Sequence, residues 1–314
     1  MAKFDVIVVG ELNADLILQD IQSFPEIGKE KLAKNMTLTM GSASAILAAN
    51  IARLGLKVGF IGKLGRDQLG KIVTDTLKEK KVDCAGIKED KSVQTGLTVV
   101  LSFPKDYAML TYMGAMDSFS LSDVDFEYLK KARHMHFSSF YLQPKMRSHG
   151  AELFARAKQL GLSTSLDPGW DPQEKWSDIL PVLRYVDIFL PNEQEMAHIG
   201  GAPTFEESLK NLEATVPIIV VKRGSQGALC RNKGQTISVG AYKITPVDTT
   251  GAGDSFNSGF LYRWLKSGNL HICMKYGAAC GAIATTKMGG ATASPSLEEL
   301  DAFFAEHSEN IFQV

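Results

Sequence analysis

Short runs of apolar, β-branched residues alternate along the chain with longer segments whose apolar positions recur every three or four residues. The runs at 4–9, 58–61, 134–137, 163–166, 188–190 and 218–221 predict strands. Between them, 45–54, 69–80, 124–132, 145–160 and 193–199 predict helices. Strand, helix, strand is the rhythm of βαβ units around a mainly parallel sheet, so the pattern predicts a doubly wound α/β fold. Two regions break it. Residues 16–40 and 95–112 read as β segments with no helix of useful length. No low-complexity linker or repeat sets them apart, so 1–314 reads as one domain, with 11–40 and 91–118 as approximate segments of a small inserted β-sheet. Such insertions at the top of a sheet commonly act as lids.

One segment combines a helix pattern with unusual chemistry. DTTGAGDSFNSGF, at 248–260, follows a strand-like stretch, AYKITPV, and opens a helix whose apolar residues Phe256, Phe260 and Trp264 recur every four positions. The helix stops at Ser267, Gly268 and Asn269, a conventional C-terminal signal. Gly251, Ala252 and Gly253 thus stand where backbone N–H groups have no carbonyl partners, and their small size lets an anion approach. Asp254 would repel that anion. It makes sense as a base that takes a proton from a hydroxyl while the helix N-terminus neutralises a moving phosphoryl group. The plainer reading, that Asp248, Thr249, Thr250 and Asp254 only cap the helix, leaves the small residues unexplained.

Charge and composition narrow the partners. A formal net charge of −1 gives no general attraction to nucleic acid or an anionic membrane. The N-terminus lacks the pattern of a signal peptide, and no apolar run reaches the ~20 residues that span a bilayer. The four cysteines, at 84, 230, 273 and 280, form no CxxC pair and read as core residues. Together these features predict a cytoplasmic enzyme. There is no G-x-x-x-x-G-K-[ST] loop, and Gly59, Gly62 and Gly65 are not spaced as G-x-G-x-x-G. His134 and His136, two apart on a strand, read as packing or hydrogen-bonding residues, with a minor substrate contact open for His136, Ser138 and Ser139.

The DTTGAGDSFNSGF segment resembles the second signature of the ribokinase-like, PfkB family of carbohydrate and nucleoside kinases. VVGELNAD resembles the family's first strand and its sugar-holding acid, and GSASAILAANIARLG followed by VGFIGKLGRDQLG resembles the first signature. LPNEQE matches the Asn-x-x-Glu element, and VVKRGSQGALC the strand and turn near the nucleotide. The matches fall in family order across nearly the whole chain. The resemblance implies a ribokinase-like fold with a β-sheet lid, ATP as phosphoryl donor and Mg2+ as cofactor. It makes Asp254 the base and the amides of Gly251, Ala252 and Gly253 the anion hole. It places Asn13, Asp15, Gly41 and Ser42 at the sugar. Lys222, Gly224, Ser225 and Gly227, with Gly251 and Gly253, fall at the nucleotide, and AACGAIATTKMGG at the adenine. Asn192 and Glu195 would organise magnesium and its waters. Asp248 and Thr250 match positions that bind a monovalent cation such as K+ in some members, although the partner turn KMGGATAS differs from the potassium-dependent pattern. A homodimer through the lid is also implied.

The expected activity is ATP-dependent transfer of a γ-phosphoryl group to the hydroxymethyl oxygen of a ribose- or fructose-like sugar. An adenosine-like nucleoside is the alternative acceptor, and a non-catalytic sugar or nucleoside sensor the alternative of another class. The first signature departs from the usual G-G-x-x-A-N, because Ile46 stands where the sugar-contacting asparagine would be. A polar hydroxyl facing it unpaired would cost about 1–3 kcal/mol, which suits a less polar ligand. The segments around Asn13 and 95–112 hold no basic cluster for a phosphorylated sugar, only the scattered Lys29, Lys31 and Lys105.

Overall fold

A strand covered on both faces loses its alternation of polar and apolar residues, and β1 (Phe4–Val9) does so: Val6 through Val9 are all fully buried. In the computed structural model, which describes residues 2–103, 107–287 and 294–307, β1 runs between two separate apolar clusters. Val6 and Val8 pack on one side with Ala45, Leu47 and Phe260, while Ile7 and Val9 pack on the other with Leu153 and Met196. The remaining strands, in chain order, are β2 (Asn13–Gln19), β3 (Asn35–Met40), β4 (Val58–Gly65), β5 (Asp83–Asp90), β6 (Gly96–Ser102), β7 (Tyr107–Tyr112), β8 (Ala132–Phe137), β9 (Ser163–Leu166), β10 (Ile188–Phe189), β11 (Ile218–Lys222), β12 (Ala228–Asn232) and β13 (Gln235–Val239).

Nine of these form one sheet in the order β13-β12-β11-β10-β9-β8-β1-β4-β5. From β5 across to β11 every neighbouring pair is parallel, and β12 and β13 extend the edge antiparallel. The chain leaves β1 for one edge and β8 for the other, so loops from both halves converge at the strands' carboxyl ends, where ligands bind in such sheets. Helices flank both faces, as the strand and helix rhythm implies.

The two regions that break the rhythm form the second sheet, ordered β3-β2-β6-β7. Its registers align side chains in rows. Leu38, Leu16, Val99 and Leu110 form one row, and the next residues along, Thr39, Asp15, Thr98 and Thr111, form a row on the opposite face. Alternation therefore gives the inserted sheet one apolar face and one mixed face, on which the polar row is followed by Thr37, Ile17, Val100 and Met109.

Three expected elements differ. Residues 124–132 hold only a short helix, Phe126–Leu129, because Asp125 caps it by accepting from the Glu127 and Tyr128 amides and Ala132 is drawn into β8 opposite Phe4. Residues 145–160 form two helices, Pro144–Arg147 and Gly150–Gln159. At the break the Ser148 hydroxyl donates to the Lys145 carbonyl, a local bond that competes with continued helix. Residues 241–247 form no strand: the Val247 and Asp248 amides both donate to the Thr285 carbonyl, so this stretch docks on a helix end instead of the sheet edge.

Candidate active site

The helix Ala252–Ser267 begins at Gly251, which has φ 73° and no side-chain cap. Glycine is the residue that takes this left-handed conformation without strain. The Ala252 amide donates to the Thr249 carbonyl at 3.2 Å, whereas the amides of Gly251, Gly253 and Asp254 have no backbone partner among the described residues. The Asp248 carboxylate accepts from the Thr250 amide at 2.8 Å, which tightens the turn into the helix. At Gly253 the nearest atom to a would-be Cβ is the Lys222 ammonium, 3.8 Å away. An ammonium and a row of open amides therefore face the same space.

Asp254 is half-buried on the first turn. Burial, reinforced by the carboxylates of Asp167, Glu11 and Glu195 and opposed by Lys222, holds its carboxyl well above the usual range. Those neighbours come from different places in the fold. Glu11 follows β1, Asp167 follows β9, Glu195 lies in the helix Glu193–Gly200 and Lys222 ends β11. Asp254 thus sits where the two halves of the cleft meet.

Lys222 Nζ donates to Asp167 Oδ2 at 2.7 Å, with both side chains nearly buried. The Asn257 amide, one turn beyond Gly253, donates to the same carboxylate oxygen. Burial alone would raise Asp167, but the charge and hydrogen bond of Lys222 outweigh it and hold the carboxylate below its ordinary range. Asp167 and Asn257 are site residues that sequence reasoning missed; the position of Asp167 just past the carboxyl end of a buried strand was the available signal. Asn192 caps its helix, accepting from the Glu195 amide at 2.8 Å, while Glu195 Oε2 accepts from the Asn192 amide at 2.8 Å. Burial and then the charge of Asp167 push Glu195 up to about 7.

Among the described residues no cluster of three or more His, Cys, Asp or Glu could hold a metal. Asn192 and Glu195 fit an ion that takes few protein oxygens and keeps its waters, as Mg2+ does. Glu195 Oε1 is left without a hydrogen bond to the described residues, and the carboxyls of Asp167 and Asp254 influence the same region.

Lys222, Gly224, Ser225 and Gly227 line a mainly apolar cavity of about 880 Å³, together with Ala252 and Gly253. Tyr242, Ile244 and Pro246 from the misjudged 241–247 segment form one wall, and Ala278 and Ala282 from the helix Leu270–Thr285 another. Gly227, at φ 85°, lies so close to the Val239 carbonyl that a Cβ would be 2.0 Å from its oxygen. The turns expected at the adenine and opposite Asp248 and Thr250 include residues 288–293, which lie outside the described residues, as does Lys105.

The residues expected at the sugar lie against the inserted sheet. Asn13 Nδ2 donates to Asp15 Oδ1 at 2.9 Å and to Thr98 Oγ1 at 3.0 Å, and Thr98 bonds Thr111 at 3.1 Å. Asp15 rises to about 6 through burial, which the Asn13 hydrogen bond opposes. Gly41 is the only residue that fits beside it, since a Cβ there would be 2.0 Å from Asp15 Oδ1. Ser42 holds φ 74°, unusual for a residue with a side chain, while its hydroxyl donates to the Glu11 carbonyl at 2.7 Å and accepts from the Ala45 amide at 3.0 Å. Glu11 is buried against Ser42 and Ser44, and burial raises its carboxyl despite the Ser44 bonds. Thr98, Thr111 and Glu11 join the predicted set, and the alternation in GLTVVLS could have pointed to Thr98. Ile46 is buried in the apolar cluster beneath this region. His134 and His136 belong to a buried ladder with Ser163, Ser165 and Ser138, and burial lowers both rings, His136 to about 3.

The pfkB family carbohydrate kinase profile matches residues 3–297. The chain belongs to that family. It is an ATP-dependent carbohydrate kinase, with an alcohol group as acceptor. It is 28% identical to the ATP-dependent ribose-1-phosphate kinase of Halopiger xanaduensis, across 96% of this chain and 98% of that one. It is 27% identical to the ribokinase of Haemophilus influenzae, across 96% and 98%. An E. coli protein provisionally termed a ribokinase II, solved with ATP and Mg2+, superposes with a TM-score of 0.86 at 26% identity, covering 97% of this chain and all of that one. The curated relatives differ in acceptor, one being a ribokinase and the other a ribose-1-phosphate kinase.

Proposed function

We propose that this kinase moves the γ-phosphoryl group of ATP to the hydroxymethyl oxygen of an uncharged, ribose- or fructose-like sugar. The observation that carries the reading is Asp254, a carboxyl set among open helix-terminal amides and influenced by both Glu11 on the acceptor side and Lys222 on the nucleotide side. Asp15, steadied by Asn13, would accept hydrogen bonds from two sugar hydroxyls, with Gly41 and Ser42 bringing the backbone close. Asp254 would take the proton from the attacking hydroxyl as the oxygen–phosphorus bond forms. The amides of Gly251 and Gly253, with Ala252 between them, would stabilise charge on the phosphoryl oxygens. Lys222, Gly224, Ser225 and Gly227 would bound the nucleotide, and Asn192 and Glu195 would hold hydrated Mg2+, which supplies charge neutralisation at the phosphates when bound.

An uncharged acceptor is favoured by charge. Glu11, Asp15 and Asp254 surround the acceptor side, and no described lysine or arginine forms an ion pair with any of them. Ile46 supports a nucleoside as the second reading, because it offers no polar group beneath the ligand. A monovalent cation at Asp248 and Thr250, closure of the inserted sheet as a lid, and a homodimer through that sheet belong to the same proposal. Use of ATP and four cysteines without a disulfide support a cytoplasmic location.

The test is phosphoryl transfer from Mg·ATP across neutral sugars, nucleosides, ribose-1-phosphate and a sugar acid, with Asp254→Asn alongside wild type. A neutral sugar should be turned over best, and the asparagine variant should lose about 10²–10⁴-fold in rate, the usual worth of a general base. Preference for an anionic acceptor would overturn the charge argument. Full activity of the variant would overturn the base, and ligand-induced stabilisation without any turnover would make the protein a sensor.

A further inference from the structure

The buried pair Lys222–Asp167 is not needed to hold the strands together, since the Lys222 amide already donates to the Pro191 carbonyl at 3.0 Å and Lys222 pairs with Asn192 through the backbone. Its geometry points elsewhere. The ammonium is aimed past Gly253, where only the absence of a side chain leaves the intervening space open. Asp167 holds that ammonium from behind and is itself fixed by Asn257, which rises from the same helix as Gly253 and Asp254. Asn257 is fully buried and its Oδ1 has no partner among the described residues, so its position is set by the bond from its amide nitrogen to Asp167. The three side chains come from the end of β9, from β11 and from the helix Ala252–Ser267, and meet at the point where the first-turn amides are open.

We infer that Lys222 is a catalytic cation that contacts the transferred phosphoryl group, and that Asp167 is the positioning residue that aims it. The inference rests on the kinase reading above. Without Lys222, the incoming triphosphate would face Asp167, Glu195 and Asp254 with no compensating side-chain charge from the described residues at that point. In the transfer, the acceptor oxygen forms a bond to the γ-phosphorus and the bond from that phosphorus to the β,γ-bridging oxygen breaks. The electron pair leaves on ADP, and the hydroxyl proton goes to Asp254. The phosphoryl group in flight spreads its negative charge over its non-bridging oxygens, and a fixed ammonium beside helix-terminal amides stabilises that charge more than the ground state. Lysine serves this role as a point charge. Asp167 keeps it from folding into solvent before the nucleotide arrives.

A structural role makes a different prediction. If Lys222 only neutralises Asp167, removing both charges together restores the enzyme. Three variants separate the two: Lys222→Met, Asp167→Asn and the double variant, which leaves no unpaired buried charge and keeps its fold where a single variant loses it. Lys222→Met and the double variant should each lose about 10²–10³-fold in kcat, the range for removal of one transition-state donor. Both should bind ATP about tenfold more weakly while ADP affinity changes less than about threefold, since the contact is to the terminal phosphoryl group. Asp167→Asn should lower kcat with ATP affinity unchanged or improved, because the lysine keeps its charge but loses its aim. Near-wild-type kcat in the double variant would overturn the proposal, as would equal losses of ATP and ADP affinity. The affinity ratio is measured without any acceptor, so it decides the matter for Lys222 even if no acceptor in the panel is phosphorylated, an outcome that would count against the kinase reading alone.

Discussion

Asp15 shows how a single side chain is placed by what its neighbour lacks. Its carboxylate occupies the volume that a Cβ on Gly41 would need, so glycine at 41 and the acid at 15 require each other. The turn then continues through Ser42, whose positive φ costs about 1–3 kcal/mol and is offset by two hydrogen bonds of its hydroxyl, which donates to the Glu11 carbonyl and caps the following helix by accepting from the Ala45 amide. Because burial raises Asp15 to about 6, the residue is ionised at neutral pH but protonates within reach of ordinary buffers. An ionised Asp15 accepts from two hydroxyls and a protonated one donates in place of one acceptance, so acceptor affinity should fall as pH drops through about 6, by up to about tenfold per unit. Titration calorimetry with the acceptor from pH 5 to 8 would show the limb, and Asp15→Asn should flatten it. An affinity that stays constant across that range would remove Asp15 from the list of sugar ligands.

At the scale of the element, the helix Ala252–Ser267 separates folding from chemistry within one turn. Gly251 is required by the fold: at φ 73°, alanine there would cost about 1–2 kcal/mol. Gly253 has no positive φ, and a Cβ there would make only ordinary contact with Lys222, at 3.8 Å, so the fold does not require glycine, and alanine should stabilise the helix by roughly 0.8–1 kcal/mol. Its methyl would stand between Lys222 and the open amides. Gly253→Ala should therefore keep or raise the melting temperature while lowering kcat at least about tenfold, and Gly251→Ala should lower both. Equal activity of Gly253→Ala and wild type would mean that this space is not used by a phosphoryl group. The sequence made this helix legible because its signal is local: small residues, an acid, then apolar positions four apart. Asp167 and Asn257 were illegible for the complementary reason. Their roles depend on which strand ends become neighbours, and nothing local to either residue records that β9 lies one strand away from β11 with β10 between. The 241–247 stretch misled because alternating apolar residues mark any segment half-covered by protein, and here the cover is a helix end and a nucleotide-sized cavity, not a sheet.

For the whole molecule, the unusual feature is the apolar face of the inserted sheet. Its other face carries the polar row of Asp15, Thr98 and Thr111, proposed to meet the acceptor, while the apolar side leaves Leu38 41% and Leu110 67% exposed, with Met36 and Tyr112 also open. A sheet that leaves an apolar face this open needs a cover, and two copies of the same sheet can supply it for each other. We propose on this ground that the protein dimerises through the four-stranded sheet. Apolar patches of this kind on monomers are uncommon and mark interaction surfaces. In a two-fold dimer each row meets its own copy, so a charge at its centre is doubled and opposed to itself. Light scattering of the wild type should give twice the chain mass, and Leu38→Glu with Leu110→Glu should give once the chain mass. Because Asp15 and Asn13 lie on the other face of the same sheet, the monomeric variant should also bind its acceptor less tightly, while ATP affinity, proposed to be set at the Gly224–Gln226 turn and the cavity beside it, should hold. A wild-type monomer would leave the apolar face without a partner of its own kind. A monomeric variant with unchanged acceptor affinity would show that the sheet keeps its shape alone.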